Sequence, residues 1–141
     1  MNMIENLSDI SLHYFALIRK LSSKFELTLS QALVLLYVPF DGITISDLSQ
    51  KLGVDISTMT LNIQRIERKQ LINRTPNLND KRSIKLLLSP RGQNIANSLN
   101  KEMEENLQKI IDKYDFDQSN QLNNNLESLG WDLYLYRQNM E

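Results

Sequence analysis

The chain has 141 residues, no cysteine, one histidine and a formal net charge of −1. That length predicts a single domain with a real hydrophobic core. The cysteine count excludes disulfides, thiolate metal sites and thiol redox sensing. The longest apolar run, residues 32–38, is seven residues long, too short to cross a bilayer, and no signal-peptide pattern is present, so a cytoplasmic protein is expected.

In chain order, Leu7, Ile10, Tyr14, Leu17, Ile18, Leu21 and Phe25 recur at helical spacing. Thr28 and Gln31 then form a capping box for a helix through QALVLLYV, which Pro39 stops. Thr44 is a suitable N-cap, with Asp47 favourably placed in the first turn. Ile45, Leu48 and Leu52 share one face of the short helix that follows. Gly53 ends it where a left-handed backbone is cheap, and Val54 is positioned to plug the angle to the next helix.

Asp55 caps that next helix, in which Ile56, Met59, Ile63 and Ile66 form the predicted inward stripe. At about 100° per residue Ser57, Leu61, Gln64 and Arg68 point the opposite way, with Thr58 and Thr60 on the flanks. The pattern is a helix-turn-helix. The outward hydroxyls, amide and guanidinium suit base edges or phosphates, and Leu61 suits a thymine methyl. The bland alternative is an amphipathic helix with a solvated face; the turn before it and the hairpin after it favour the nucleic-acid reading.

Residues 71–75 and 84–88 read as strands joined by PNLNDKRS, a loop rich in turn formers. Lys81 and Arg82 near its tip suit a narrow, electronegative minor groove. Asp80 is expected to orient Arg82 through a charge-assisted bond; otherwise the two form a solvated surface pair of little worth.

Ser89 caps the following helix, with Pro90 in its first turn. That helix carries Ile95, Leu99, Met103, Leu107, Ile110 and Ile111, and its pattern runs out near residues 114–117. The last helix has Leu122, Leu126, Leu129, Leu133 and Tyr136 at alternating spacings of four and three. This stripe is too short for an isolated coiled coil, so packing against the first helix and a partner chain is expected. Closure of a monomeric core is the alternative.

Charge is unevenly distributed. Residues 51–91 hold nine Lys and Arg against three acids, a balance of +6, while the remainder holds seven against fourteen, −7. A basic segment on an acidic body is the footprint of directed contact with nucleic acid.

The run DKRSIKLLLSPRG resembles the wing signature of the MarR family of bacterial regulators. Asp80, Arg82, Leu86, Leu88, Ser89 and Gly92 fall in the matching places, and ISDLSQKLGVDISTMTLNIQRIERKQLINR resembles that family's helix-turn-helix. The resemblance implies a mainly α fold with a small β-wing, a winged helix-turn-helix flanked by N- and C-terminal dimerisation helices. Within one domain of 1–141 it implies a DNA-binding lobe over 28–92 and a dimerisation region over 1–27 and 93–141. The implied function is a homodimeric transcription factor, most often a repressor, that binds pseudo-palindromic double-stranded operators.

On this reading the DNA-contacting residues are Ser57, Thr58, Thr60, Leu61, Gln64, Arg65, Arg68, Arg74, Lys81 and Arg82, with Asp80 orienting the wing. The resemblance also implies a small aromatic or anionic effector between the dimerisation helices and the lobe, for which His13, Tyr14, Arg19 and Tyr37 are the suitable side chains. Two departures stand out: many relatives carry a basic residue where Leu61 stands, and commonly a Gly where Gln70 stands. Gln70 is expected to cost little, provided its φ stays negative.

No P-loop, dinucleotide fingerprint or nucleophile elbow is present, so no cofactor, metal site or catalytic group is expected, and an enzyme is not. The lone His13 cannot build a multi-histidine metal site. Two rival functions remain from the residues alone: a winged helix that binds another regulator, favoured by an outward Leu61, and a low-specificity architectural DNA binder.

Overall fold

The computed structural model describes residues 1–140. Its elements are α1 (Met3–Ser22), a 3-10 turn (Ser23–Phe25), α2 (Leu29–Tyr37), β1 (Ile43–Thr44), α3 (Ile45–Leu52), α4 (Ile56–Arg68), β2 (Ile72–Pro76), β3 (Ile84–Leu88), α5 (Pro90–Ile111) and α6 (Phe116–Gln138). They fall into two compact units, Met1–Met103 and the segment from Glu104 onward. The expected fold class, mainly α with a small β-wing, is the one observed.

In the first unit the helix starts are written in the sequence. Asn2 and Glu5 form a capping box at α1, and Thr28 and Gln31 form the predicted one at α2, each satisfying two amides that a helix start leaves orphaned. Val38, ahead of Pro39, turns extended and ends α2, as the clash with a following proline ring requires.

Because α2 is packed on two sides, its sequence is almost continuously apolar. Val34 and Leu35 join Leu48, Met59, Ile63, Ile66, Leu71, Ile72 and Leu86 in the main core. Ala32 belongs instead to a smaller cluster with Ile18, Leu99 and Met103. Together these clusters tie α1 and the first turns of α5 to the helix-turn-helix.

The sheet has the order β1-β3-β2, all antiparallel. The short β1, which periodicity could not reveal, pairs Ile43 with Leu86 and Thr44 with Lys85. The hairpin runs from Ile72 opposite Leu88 to Pro76 opposite Ile84, one residue later at its start than the predicted strand. Leu71 is excluded because its amide donates back to the Ile66 carbonyl at 3.3 Å, closing the end of α4.

That closure overturns one expectation. Gln70 adopts φ +60°, and its amide donates to the Glu67 carbonyl at 2.8 Å. The chain therefore leaves α4 through a left-handed residue, the geometry that favours glycine, and Gln70 carries backbone strain there.

Ser89 fastens the hairpin base to α5. Its amide donates to the Leu71 carbonyl at 3.0 Å, and its hydroxyl donates to the Gln70 carbonyl at 2.7 Å while accepting the Gly92 amide at 3.0 Å.

The second unit comprises the last turns of α5 and α6, which starts on an Asp115–Gln118 capping box. Every member of the predicted stripe Leu122, Leu126, Leu129, Leu133 and Tyr136 is exposed. Trp131 and Tyr134 stack at 5.5 Å on the same helix.

Candidate nucleic-acid interface

The helix-turn-helix is built by its caps. Thr44 accepts the Asp47 amide at 3.1 Å to start α3, Gly53 ends it at φ +68°, and Val54 packs against the core in the angle that follows. Asp55 accepts both the amide and the hydroxyl of Thr58 at 2.8 Å. The amide first, then the hydroxyl, hold the Asp55 carboxyl below its ordinary range, because both donors favour the charged form.

Met59, Ile63 and Ile66 are buried as the inward stripe of α4. Ile56, predicted beside them, is instead 56% exposed. It occupies the first helical position, and the angle between α3 and α4 is already filled by Val54.

On the opposite side Ser57, Leu61, Gln64, Arg65 and Arg68 are all exposed. The flanking hydroxyls are spoken for: Thr58 donates to Asp55, and Thr60 donates to the Ile56 carbonyl at 2.8 Å. They can offer lone pairs outward, but not their protons without breaking these bonds.

The wing loop is bonded mainly to itself. Asn77 donates twice to Ser83, its backbone amide to the carbonyl at 3.2 Å and its side-chain amide to the hydroxyl at 2.9 Å, and it accepts the Asn79 amide at 3.1 Å. Asp80 accepts the backbone amide of Arg82 at 3.0 Å. The expected bond from Asp80 to the Arg82 guanidinium is thus replaced by one to the main chain. A carboxylate two residues ahead reaches the amide through a short local turn, and the Arg82 side chain stays exposed. Asp80 shapes the backbone that presents Arg82 without neutralising it. Leu78, which sequence reading passed over, is 94% exposed on the same loop.

Hydrogen bonding sorts the basic residues of this segment. Arg74 pairs with Glu67, Nη2 to Oε1 at 2.8 Å and Nε to Oε1 at 2.9 Å, so this predicted contact residue braces β2 against α4. Lys69 donates to the Glu26 carbonyl and to Gln31 Oε1, bolting the end of α4 to the start of α2. Lys85 reaches the Asp41 carbonyl at 3.1 Å, Arg91 the Lys69 carbonyl at 3.5 Å, and Lys51 lies 5.5 Å from the Tyr37 ring centre. Arg65, Arg68, Lys81 and Arg82 remain: all four are exposed, and their side chains have no hydrogen-bond or ion-pair partner among the described residues. Two sit on the recognition helix and two on the wing.

Of the side chains expected to meet an effector, only Tyr14 and Tyr37 are electrostatically linked: burial first, and then Tyr37, raise the Tyr14 phenol above its ordinary range. His13 and Arg19 are exposed on α1, about 120° apart around the helix, and so do not converge. Among the described residues no group of three or more His, Cys, Asp or Glu is placed to hold a metal ion, and no helix is long and apolar enough to cross a membrane.

A three-helix lobe whose second and third helices meet at a glycine turn, followed by a basic-tipped hairpin, defines a winged helix-turn-helix protein. Residues 27–84 match the model of the MarR family; this winged helix belongs to that family. No curated protein matches the chain. Among solved structures it is similar to wild-type MarR from E. coli in its apo form, with 23% identity, a TM-score of 0.77 and coverage of 92% of this chain and 96% of that one. A MarR family regulator from Listeria monocytogenes, solved with a 26mer DNA, gives 20% identity and a TM-score of 0.82 over 98% and 95% of the two chains. MepR of S. aureus, solved as a DNA complex, gives 21% and 0.77 over 94% and 99%. At these identities the likeness establishes the shared fold.

Proposed function

We propose that the protein is a sequence-specific DNA-binding transcriptional regulator, a cytoplasmic homodimer that represses by occupying a pseudo-palindromic operator. One observation carries this reading: the cations without internal partners, Arg65, Arg68, Lys81 and Arg82, fall on the recognition helix and the wing. Exposed, unpaired cations on these two elements are what backbone contact with DNA requires. The DNA complexes of the Listeria monocytogenes regulator and of MepR support the same use of the fold.

Within this reading residues 28–92 form the DNA-binding lobe and α4 enters the major groove, where Ser57, Leu61 and Gln64 face base edges while Thr58 and Thr60 offer acceptors. The wing reaches the minor groove through Arg82 and Lys81, with Asp80 holding the loop. The flanking segments 1–27 and 93–141 supply dimerisation, and the exposed stripe from Leu122 to Tyr136 is the surface a partner chain would cover. Two-fold symmetry places the recognition helices about one helical turn apart on DNA. The neighbourhood of Tyr14 and Tyr37 is the part of this group best placed for an effector, since Tyr37 is near enough to act on the Tyr14 phenol. A small aromatic or anionic effector would release DNA only by binding more tightly to a lobe spacing that mismatches the operator.

Fluorescence anisotropy tests the reading, comparing the duplex upstream of the protein's own gene with a scrambled one from low to near-physiological salt. Selective binding that survives salt is expected. Equal binding lost steeply with salt would leave only backbone attraction, as in an architectural binder. Failure to bind any duplex at low salt would favour a protein-binding winged helix, the reading suggested by the exposed Leu61.

A further inference from the structure

The recognition helix changes chemical character along its length. Residues 56–64, ISTMTLNIQ, contain no charged side chain, and the cations begin only at Arg65. In a helix-turn-helix the N-terminal residues of this helix meet base edges. The direct readers of guanine are Arg and Lys, and those that accept from cytosine are Asp and Glu. Neither charge is available in these two and a half turns. What faces outward is a hydroxyl at Ser57, an amide at Gln64 and, between them, the side chain of Leu61.

Leu61 is not an incidental surface leucine. Helical geometry places it roughly 165° from the mean direction of Met59, Ile63 and Ile66, so it stands at the centre of the outward face. It is 57% exposed. A leucine pressed against the polar edge of a base pair strips water from donors and acceptors without replacing their bonds. The major groove offers one apolar feature that avoids this cost, the 5-methyl group of thymine. The neighbouring Gln64 has the amide that bonds adenine through N6 and N7.

We propose that Leu61 is a specificity-determining residue that reads a thymine 5-methyl group in each operator half-site. This inference rests on the DNA-binding reading above and deepens it. Leu61 rejects a G·C pair at that position because its side chain would bury polar base atoms unpaired, and it rewards thymine through apolar contact alone.

The test separates the two levels. Random duplexes are enriched on the wild-type protein, and the selected half-site is resynthesised with each thymine in turn replaced by deoxyuridine, which removes only the methyl group. Wild-type affinity should fall about fourfold when the contacted thymine of one half-site is changed, the worth of one buried methyl, and about 15-fold when it is changed in both half-sites. Leu61→Ala, on an exposed position and checked for unchanged folding by circular dichroism, should be indifferent to the same change. Leu61→Arg should shift the preference at that position from thymine toward guanine. Equal deoxyuridine sensitivity in wild type and Leu61→Ala, or selected sites without an invariant thymine, would overturn the role of Leu61 and leave DNA binding standing. Enrichment of no duplex at all would overturn both.

Discussion

Gly92→Ala tests the packing that fixes the wing to the body, because two physical effects predict opposite signs. Gly92 is buried in the first turn of α5. By helix propensity alone, alanine there should stabilise by about 1 kcal/mol. The structure argues the reverse. A Cβ on Gly92 would lie 2.0 Å from the Leu71 carbonyl oxygen and 2.9 Å from its carbon, where ordinary contact begins at 3.4 Å. The obstacle is backbone, so no rotamer change relieves it, and α5 must part from the hairpin base by about 1.4 Å (3.4 less 2.0). That movement breaks the Ser89 amide bond to Leu71 and disturbs both bonds of the Ser89 hydroxyl. Overpacking of this kind costs about 1–3 kcal/mol and each lost bond about 1 kcal/mol more. Set against the propensity gain, a net loss of about 3 kcal/mol is expected. Urea unfolding followed by far-ultraviolet circular dichroism, at one fixed protomer concentration, should show a midpoint lower by roughly 1–2 M. A midpoint unchanged or raised would refute the close approach of α5 to Leu71.

Gln70→Gly should act in the opposite direction. It removes a left-handed strain of about 1–2 kcal/mol, partly offset by the greater unfolded entropy of glycine, for a net gain of about 0.5–1 kcal/mol seen as a higher melting temperature. Asp55→Asn keeps an N-cap while removing its titration. Because the folded-state pKa of Asp55 lies below the ordinary 3.8, its charged form stabilises the fold above that value. The contribution is lost as pH falls through the lower, folded value. Acid unfolding of the variant should therefore lack this component, and identical acid profiles would show that the Thr58 bonds carry no stability. Arg82→Ala should weaken duplex binding roughly tenfold or more and lower the salt slope by about 1 per protomer. The size-exclusion profile should not change; unaltered affinity would remove the wing from the DNA interface.

What the sequence disclosed depends on the range of the interaction that decides each feature. Capping boxes, the Gly53 turn and the Ser89–Pro90 start of α5 are settled within three or four residues, and these positions were legible. The apolar stripe of α4 was legible too, except at Ile56, where the angle filled by Val54 sets exposure and periodicity does not. The two-residue β1 was invisible because it is too short to show a period and its partner lies about 40 residues away. Gln70 misled because glutamine carries no sign of positive φ; the demand arises from closing α4 onto Leu71. At the interface, residue type identified the cations but not their partners. Arg74, Lys69 and Lys85 read like Arg65 and Arg82 in a sequence, and only the fold brings Glu67, Glu26, Gln31 and Asp41 to them.

That sorting bears on how a chain with a net charge of −1 could select DNA rather than merely adhere to it. Affinity for any duplex grows with the number of phosphates neutralised, with a logarithmic salt slope of about 0.9 for each. A basic face with all nine cations free would bind many sequences nearly alike. Here several of the nine are drawn inward to carbonyls or a carboxylate, where they hold α4, the sheet and α5 together. Four, Arg65, Arg68, Lys81 and Arg82, remain with side chains open to solvent, and on the proposed reading these meet phosphates or the minor groove. The remainder of the chain carries a net −7, which opposes non-specific attraction to DNA. With backbone attraction limited in this way, a larger share of the discrimination falls, on the proposed reading, to the uncharged turns of α4, where Ser57 and Leu61 precede the cations Arg65 and Arg68 and Gln64 stands at the boundary. On the proposed reading, the inward pairing of Lys69, Arg74, Lys85 and Arg91 is what lets base contacts decide where the protein binds.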